Sequence, residues 1–98
     1  MEKRTPHYPL RQVNGQLLAG KVTATLSALR GAAELGLEFA DMLDIVTTLA
    51  PGDFHKSMTT HADPRVWQDV YRPMTVAGRV YVKLTVVSDV LIVSFKEA

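Results

Sequence analysis

The fold is decided by the stretch RVYVKLTVVSDVLIVSFK (79–96). Its two halves, residues 79–87 and 90–96, are rich in β-branched and aromatic side chains, which favour strands. Only Ser88 and Asp89 separate the halves, and two residues is the length of a tight hairpin loop. The stretch therefore predicts an antiparallel hairpin near the end of the chain.

The loop length predicts the register of this hairpin. If Ser88 and Asp89 form the loop, Val87 pairs with Val90, and Tyr81 then falls opposite Lys96. Directly opposed residues in an antiparallel pair project to the same face, with Cβ atoms about 4.5–5.5 Å apart. Tyr81 and Lys96 are therefore predicted to be neighbours, and the same register places Lys83 opposite Ser94.

Alternation of side chains assigns the two faces of the hairpin. One set is apolar and is predicted to face the core: Val80, Val82, Leu84, Val86, Leu91, Val93 and Phe95. The other set includes two lysines, which are costly to bury against helices. It predicts an open face, the sheet surface turned away from the helices: Tyr81, Lys83, Ser94 and Lys96, with the apolar Val90 and Ile92 at the far end.

The first half of the chain reads as helical. An apolar stripe predicts a helix from Leu10 to about Gly20. A second helix is predicted over ATLSALRGAAEL (24–35), capped by Thr23 and ended by Gly36. A third is predicted from about Glu38 to Leu49, before a Pro-Gly break.

Two further strands are predicted between these helices and the last hairpin. The segments FHKSMTT (54–60) and RVWQDVY (65–71) flank a turn-like stretch. A three-residue loop there would place Lys56 opposite Gln68, whereas another loop length would separate them. Helices followed by consecutive hairpins predict an α+β fold, with N-terminal helices packed on one face of a C-terminal antiparallel sheet. The length of 98 residues predicts a single domain, 1–98.

Charge is distributed unevenly although the net charge is only +1. Residues 1–53 carry five bases and six acids, whereas residues 54–98 carry six bases and four acids. No acid of the predicted strands shares the parity of the cations on the open face, which would be Lys56, Arg72, Arg79, Lys83 and Lys96. A basic face that also presents Tyr81 is typical of an RNA-binding surface.

Several classes of protein are disfavoured by composition. The chain has no cysteine, which excludes disulfides and thiolate metal sites and fits a cytoplasmic location. No apolar run approaches the roughly 20 residues of a membrane span. The opening residues lack the apolar stretch of a secretory signal. The three histidines have no ligand spacing, so neither a metal nor another cofactor is expected.

Long contiguous segments resemble the MqsR toxins, the RNA-cleaving halves of a bacterial type II toxin–antitoxin module. The resemblance runs essentially end to end and includes MEKRTPH (1–7), DFHKSMTT (53–60), WQDVYRP (67–73), GRVYVKLTV (78–86) and DVLIVSFKE (89–97). It implies a fold related to the RelE toxins. It also implies metal-independent endoribonuclease activity on messenger RNA at GC-containing sites, typically GCU, which would inhibit translation and growth. The implied partner is MqsA, a zinc-containing, DNA-binding antitoxin.

The resemblance also implies which residues act on RNA. The catalytic set matches here at Lys56, Gln68, Tyr81 and Lys96. Further RNA contacts are expected from His55, Met58, Arg72 and Lys83. His55 is a departure, since tyrosine is usual in the family just before the lysine, and histidine, unlike tyrosine, can titrate near neutral pH.

These expectations combine in one mechanistic hypothesis. Attack of an RNA 2′-hydroxyl on the adjacent phosphate would give a 2′,3′-cyclic phosphate. Lys56 and Lys96 would stabilise charge on the phosphate or donate protons, and Tyr81 would act either in proton transfer or as a stacking platform. Gln68 would position the RNA by hydrogen bonds, and His55 is a further candidate for proton transfer. The alternatives are an RNA-binding module without catalysis and a protein-binding module that uses its sheet edge.

Overall fold

A computed structural model describes all of residues 1–98 as three helices packed on one face of a seven-stranded sheet. The helices are α1 (Leu10–Leu18), α2 (Leu26–Glu34) and α3 (Phe39–Thr47), and a short 3-10 helix spans Pro51–Asp53. The strands are β1 (Glu2–Lys3), β2 (Val22–Ala24), β3 (Phe54–Thr59), β4 (Trp67–Tyr71), β5 (Met74–Thr75), β6 (Gly78–Val87) and β7 (Asp89–Glu97). No helix in the chain combines the length and the apolar character needed to cross a membrane.

The sheet confirms the predicted α+β class and adds three short strands. Its order is β1-β3-β4-β6-β7-β2, with β5 paired to β6 off this path. All pairs are antiparallel except β2 with β7, which run parallel. The added strands β1, β2 and β5 have only two or three residues, which is too short for side-chain alternation to show in a sequence.

The last hairpin confirms the predicted neighbours of the lysines. Tyr81 lies opposite Lys96, and Lys83 lies opposite Ser94. The predicted loop is wrong, however, because Val87 pairs with Asp89 and the turn is made at Ser88, whose φ is +65°. The one-residue turn moves the register by one position, and a bulge in β7 adds one residue to that strand. Beyond the bulge the two shifts cancel, so the pairs of Tyr81 and Lys83 are those predicted.

The bulge reverses the faces of the strand between it and the turn. Lys83 pairs with Ser94 but Leu84 pairs with Ile92, so Val93 is the extra residue. Val90 and Ile92, predicted for the open face, are instead fully buried in the core. A β-bulge shifts side-chain parity by one residue, and every assignment beyond it is inverted.

Helix α2 begins later than predicted and is fastened to the bulge. Thr25, not Thr23, is its N-cap, since the Thr25 hydroxyl accepts from the Ala28 N–H at 3.0 Å. The same hydroxyl donates to the Val93 carbonyl oxygen at 2.8 Å. Further along α2, a Cβ atom at Gly31 would collide with the Phe95 carbonyl oxygen. The absence of that Cβ lets the helix lie directly against β7.

Both predicted glycine terminators end their helices as expected. Gly20 follows α1 with φ +74°, and Gly36 follows α2 with φ +75°. These left-handed conformations are readily available to glycine and strained for other residues.

The core lies between the helices and the sheet. Its 13 buried residues are Val13, Ala28, Ala32, Met42, Val46, Leu49, Tyr71, Val80, Val82, Leu84, Val90, Ile92 and Phe95. Tyr71 is its largest fully buried side chain and packs edge-on against Phe54 with ring centroids 5.5 Å apart. The Tyr71 hydroxyl is buried without a hydrogen-bond partner.

We expect Tyr71→Phe to raise the free energy of unfolding by about 1 kcal/mol at neutral pH, because it removes a buried donor that lacks a partner. Burial, and then the charge of Asp69, raises the pKa of Tyr71 to about 12 from an ordinary value of 10.0. The raised value means that the unfolded chain loses this proton first. The stability of the parent protein is therefore independent of this proton below pH 10 and falls between pH 10 and 12.

Urea unfolding of the parent and Tyr71→Phe across pH 7–12 measures both effects. The difference between the two proteins should be constant to about pH 10 and should then grow in favour of the phenylalanine variant. A variant less stable than the parent at every pH would show that the hydroxyl is satisfied in solution.

Candidate active site

A row of open-face side chains crosses the four central strands. Lys56 on β3 lies opposite Val70 on β4, and Val70 lies opposite Lys83 on β6. Lys83 in turn lies opposite Ser94 on β7. The row therefore places two lysines two strands apart, with only the small apolar side chain of Val70 between them.

The neighbouring row adds the aromatic ring and the third lysine. The Lys96 ammonium lies 5.1 Å from the centre of the Tyr81 ring, and the Lys83 ammonium lies 6.0 Å from it. Both distances are within the range of a cation–π interaction. Tyr81 is half-buried, so its ring is accessible from the open face while held by the cations around it.

Lys83 occupies the centre of the cationic cluster. Partial burial lowers the pKa of Lys83, and the nearby charges of Lys96 and then Lys56 lower it further. These effects disfavour the ammonium form, because desolvation and like charges both raise the free energy of a cation. An anion bound among the three lysines would relieve this repulsion.

Gln68 joins the open face by a register different from the predicted one. Lys56 lies opposite Val70, not Gln68, and Gln68 lies opposite Met58. Of the two alternatives left open by the sequence, the structure therefore contains the one in which Lys56 and Gln68 are not directly opposed. Both nevertheless project to the same face, because the observed register differs from the expected one by two residues and parity is preserved. The structure thus places Lys56, Met58, Gln68, Tyr81, Lys83 and Lys96 on one surface.

His55 and Arg72 lie together in a recess next to this surface. The recess has a volume of about 240 Å³, and its lining also includes Arg79 and Asp53. The Arg79 guanidinium donates from Nη1 to the Arg72 carbonyl oxygen at 2.6 Å, while the Arg72 N–H donates to the Asp53 carbonyl oxygen at 2.7 Å. These bonds fix the loop that follows β4, so the recess presents two guanidinium groups and one imidazole.

The open face is not free of acid, contrary to the sequence prediction. Glu2 on β1 pairs with Met58 on β3, so it shares the face of Met58. Its Oε1 lies 2.9 Å from the Lys56 Nζ. The hydrogen bond from Lys56, and then the Lys56 charge, lower the pKa of Glu2. Sequence reasoning missed this residue because a strand of two residues has no readable alternation.

The segment that carries Glu2 is anchored by a buried carboxylate. Asp69 on β4 is fully buried and accepts from the N–H groups of His7 and Tyr8 at 3.0 and 2.9 Å. The His7 ring stacks on Trp67, with centroids 5.3 Å apart, and the Lys3 ammonium lies 4.2 Å from the centre of the Trp67 ring. We call residues 1–8 the N-terminal strap.

The chemistry available on this face is that of cations, an amide and a phenol. Three ammonium groups can stabilise an anion, the Gln68 amide can donate and accept hydrogen bonds, and the Tyr81 hydroxyl can exchange a proton. No three His, Asp or Glu side chains lie close enough together to hold a metal ion. Of the three histidines, only His55 lines the recess. His7 belongs to the strap, and His61 is exposed in the turn after β3.

Comparison with known proteins identifies the family of this chain. The family described as "Motility quorum-sensing regulator, toxin of MqsA" matches residues 5–97. The curated protein "mRNA interferase toxin MqsR" of Escherichia coli (strain K12) is 58% identical over 97 residues, which cover 99% of each chain. The match includes all four strands that build the open face, so the chain belongs to the MqsR toxin family.

Proposed function

We propose that this chain is the toxin of a type II toxin–antitoxin system and that it inhibits translation by cutting messenger RNA in the cytoplasm. One observation carries the proposal: Lys56, Lys83 and Lys96 share one sheet face, on which the Lys83 and Lys96 ammonium groups lie beside the Tyr81 ring. RNA offers both groups that such a face binds, phosphates and stackable bases. The similar Escherichia coli protein is named an mRNA interferase. The whole chain, 1–98, acts as one toxin domain.

The proposed reaction is an internal transfer of phosphate. The RNA 2′-oxygen forms a bond to the adjacent phosphorus, and the bond from phosphorus to the 5′-oxygen breaks. One proton leaves the 2′-hydroxyl and one is delivered to the 5′-oxygen. The products are a 2′,3′-cyclic phosphate and a 5′-hydroxyl, so no water or cofactor is consumed.

The open face supplies a group for each task. Lys56 and Lys96 stabilise negative charge on the phosphorane, and Tyr81 acts in proton transfer. Gln68 positions the RNA by hydrogen bonds from its amide. Lys83 binds phosphate from the centre of the cluster, where partial burial and the charges of Lys96 and Lys56 lower its pKa. Because the face supplies its own cations, we propose that the reaction requires no metal.

Further RNA contacts are proposed around this centre. Met58 lies beside Gln68 on the open face, and His55 and Arg72 line the adjacent recess. A preference for GC-containing sites such as GCU requires contacts to base edges, since phosphate contacts carry no sequence information. We assign Met58, His55 and Arg72 to contacts outside the scissile phosphate.

The proposed protein partner is an antitoxin of the MqsA type. The family description names MqsA as the cognate of these toxins. We propose that the partner of this chain contains zinc and binds DNA, as the sequence resemblance implies.

Cleavage of an RNA containing GCU, in the presence and absence of EDTA, tests the proposal. We expect equal rates and products that end in a 2′,3′-cyclic phosphate, identified by mass spectrometry of the fragments. An RNA without GC sites is the matched substrate control. Loss of cleavage in EDTA would contradict the metal-free mechanism, and a 3′-hydroxyl end would contradict internal transfer. Binding without cleavage would leave only an RNA-binding module.

A further inference from the structure

Glu2 is the one acid that β1 brings onto the open face, and it reaches directly to a proposed catalytic lysine. Its Oε1 lies 2.9 Å from the Lys56 Nζ. The contact is diagonal across the strand pair, because Glu2 lies opposite Met58 and Lys56 is two residues before Met58. We propose that Glu2 is a positioning residue that orients the Lys56 ammonium for cleavage, an inference that rests on the proposed role of Lys56.

The position of Glu2 does not depend on the ion pair itself. The Met1 ammonium donates to the Thr59 hydroxyl at 3.1 Å, and the Thr59 N–H donates to the Met1 carbonyl oxygen at 2.9 Å. The Lys3 ammonium lies over Trp67 and contacts the His7 imidazole at 2.9 Å. The strap is thus held on both sides of Glu2, so the carboxylate is presented to Lys56 by a fixed backbone.

The Glu2 carboxylate affects how the Lys56 ammonium binds an RNA phosphate. Glu2 lies on β1, on the side of β3 opposite to β4 and β6, so the ion pair fixes one direction for the flexible Lys56 side chain, towards β1 and away from Lys83 and Lys96. The ion pair holds the ammonium at the edge of the cluster. A phosphate that binds there must share or displace the carboxylate, so Glu2 opposes ground-state binding while it preserves the geometry used in cleavage.

The two effects have opposite signs in kinetics. Glu2→Gln removes the competing charge, so we expect KM to fall by about two- to fivefold as RNA binds more tightly. It also releases Lys56 from its orientation, so we expect kcat to fall by about tenfold. A merely structural defect would instead reduce the amount of active protein, lowering kcat at constant KM together with the thermal midpoint.

The salt dependence of RNA affinity gives a second measurement, which a change in packing alone would not alter. In the parent, Glu2 partly neutralises Lys56. In Glu2→Gln the freed lysine pairs with a phosphate, and the slope of log affinity against log salt should steepen by up to about 0.7, the contribution of one phosphate contact on single-stranded nucleic acid. The probe is a short RNA containing GCU, with a 2′-O-methyl group at the cleavage position to prevent reaction.

Three variants complete the experiment. Glu2→Asp keeps the charge but shortens the side chain, so we expect a KM near the parent value and a kcat between those of the parent and Glu2→Gln. Asp44→Asn removes the same charge from the exposed surface of α3, on the helix side, and should change neither constant. Glu2→Gln in a Lys56→Met background should have no further effect on kcat, since the two residues would then lack their contact.

The outcomes separate this inference from the proposed function. A Glu2→Gln variant with parental kcat, KM and salt slope would overturn the positioning role, provided that Lys56→Met lowers kcat to a reduced but still measurable value. If Lys56→Met keeps full activity, the proposed site itself is wrong, whatever Glu2 does. A fall in kcat of equal size in both the parent and Lys56→Met backgrounds would also overturn the inference, because Glu2 would then act independently of Lys56.

Discussion

Tyr81→Phe is expected to lower kcat for RNA cleavage by at least about 100-fold while the protein remains folded, the size expected when a proton-transfer group is removed. The phenylalanine ring preserves the surface over which the Lys96 and Lys83 ammonium groups lie at 5.1 and 6.0 Å. Base stacking on that ring should also persist, so we expect RNA affinity to stay within about threefold. The substitution therefore isolates the hydroxyl from the ring.

Single-turnover cleavage with saturating protein measures this effect without interference from binding. Tyr71→Phe is the matched control, because it removes the same hydroxyl from the neighbouring strand β4 on the core face. Its cleavage rate should equal that of the parent. Should Tyr81→Phe cut RNA within threefold of the parent rate, Tyr81 would be a stacking platform, and the acid–base role would pass to another group.

The second large effect is expected for Asp69→Asn, which should lower the free energy of unfolding by about 2–3 kcal/mol. Asp69 is fully buried and accepts from two backbone N–H groups, those of His7 and Tyr8. Hydrogen bonds to a charged group contribute more than neutral ones, and an asparagine amide would turn its own donors towards one of these N–H groups. For a domain of this size the thermal midpoint should fall by roughly 10–15 °C.

Chemical denaturation with hydrogen exchange tests both the size and the place of the change. The amides of His7 and Tyr8 should lose protection in Asp69→Asn, because the strap is released from β4. Asp89→Asn, at the exposed start of β7, provides a control with the same change of charge. Equal stability of Asp69→Asn and the parent would mean that the strap is held by Trp67 and the β1 pairing alone.

The two predictions concern the two ways in which the open face is built. Tyr81 comes from the long strand β6, in which buried and partly exposed residues alternate from Val80 to Leu84. Asp69 acts from the opposite face, by fastening the segment that brings Glu2 to Lys56. A site on a sheet face thus depends on a buried carboxylate that never contacts the open face.

The prediction of the last hairpin shows how far local patterns reach. Tyr81 and Lys96 are correctly predicted as a pair, although the loop that led to the pair is wrong. The observed turn shifts the register of the hairpin by one residue relative to the prediction. The extra residue Val93 shifts it back by one, so the pairs beyond the bulge are those predicted. Between the turn and the bulge the two changes do not cancel, so alternation predicts the wrong face for Val90 and Ile92, which are buried in the core.

The register of the hairpin formed by β3 and β4 could not be predicted from the sequence. Lys56 and Gln68 share the open face as expected, but they are not directly opposed. Apolar residues occur on both faces of β3 and β4, so hydrophobicity leaves the register open. The bulge between Phe54 and Lys56, together with pairing to β6, determines it in the folded chain.

The sequence by itself determined the α+β class, three helices, the four long strands and the open face that carries Tyr81, Lys83 and Lys96. It did so because alternation and helical periodicity are local properties that repeat over many residues. Only the tertiary structure decided that Glu2 meets Lys56, that Asp69 holds the strap and that Val93 shifts the register. These features join residues as far as 62 positions apart, and each rests on one or two contacts or on a single inserted residue. Such contacts cannot be predicted from a repeating pattern along the chain, because the residues become neighbours only when the sheet forms.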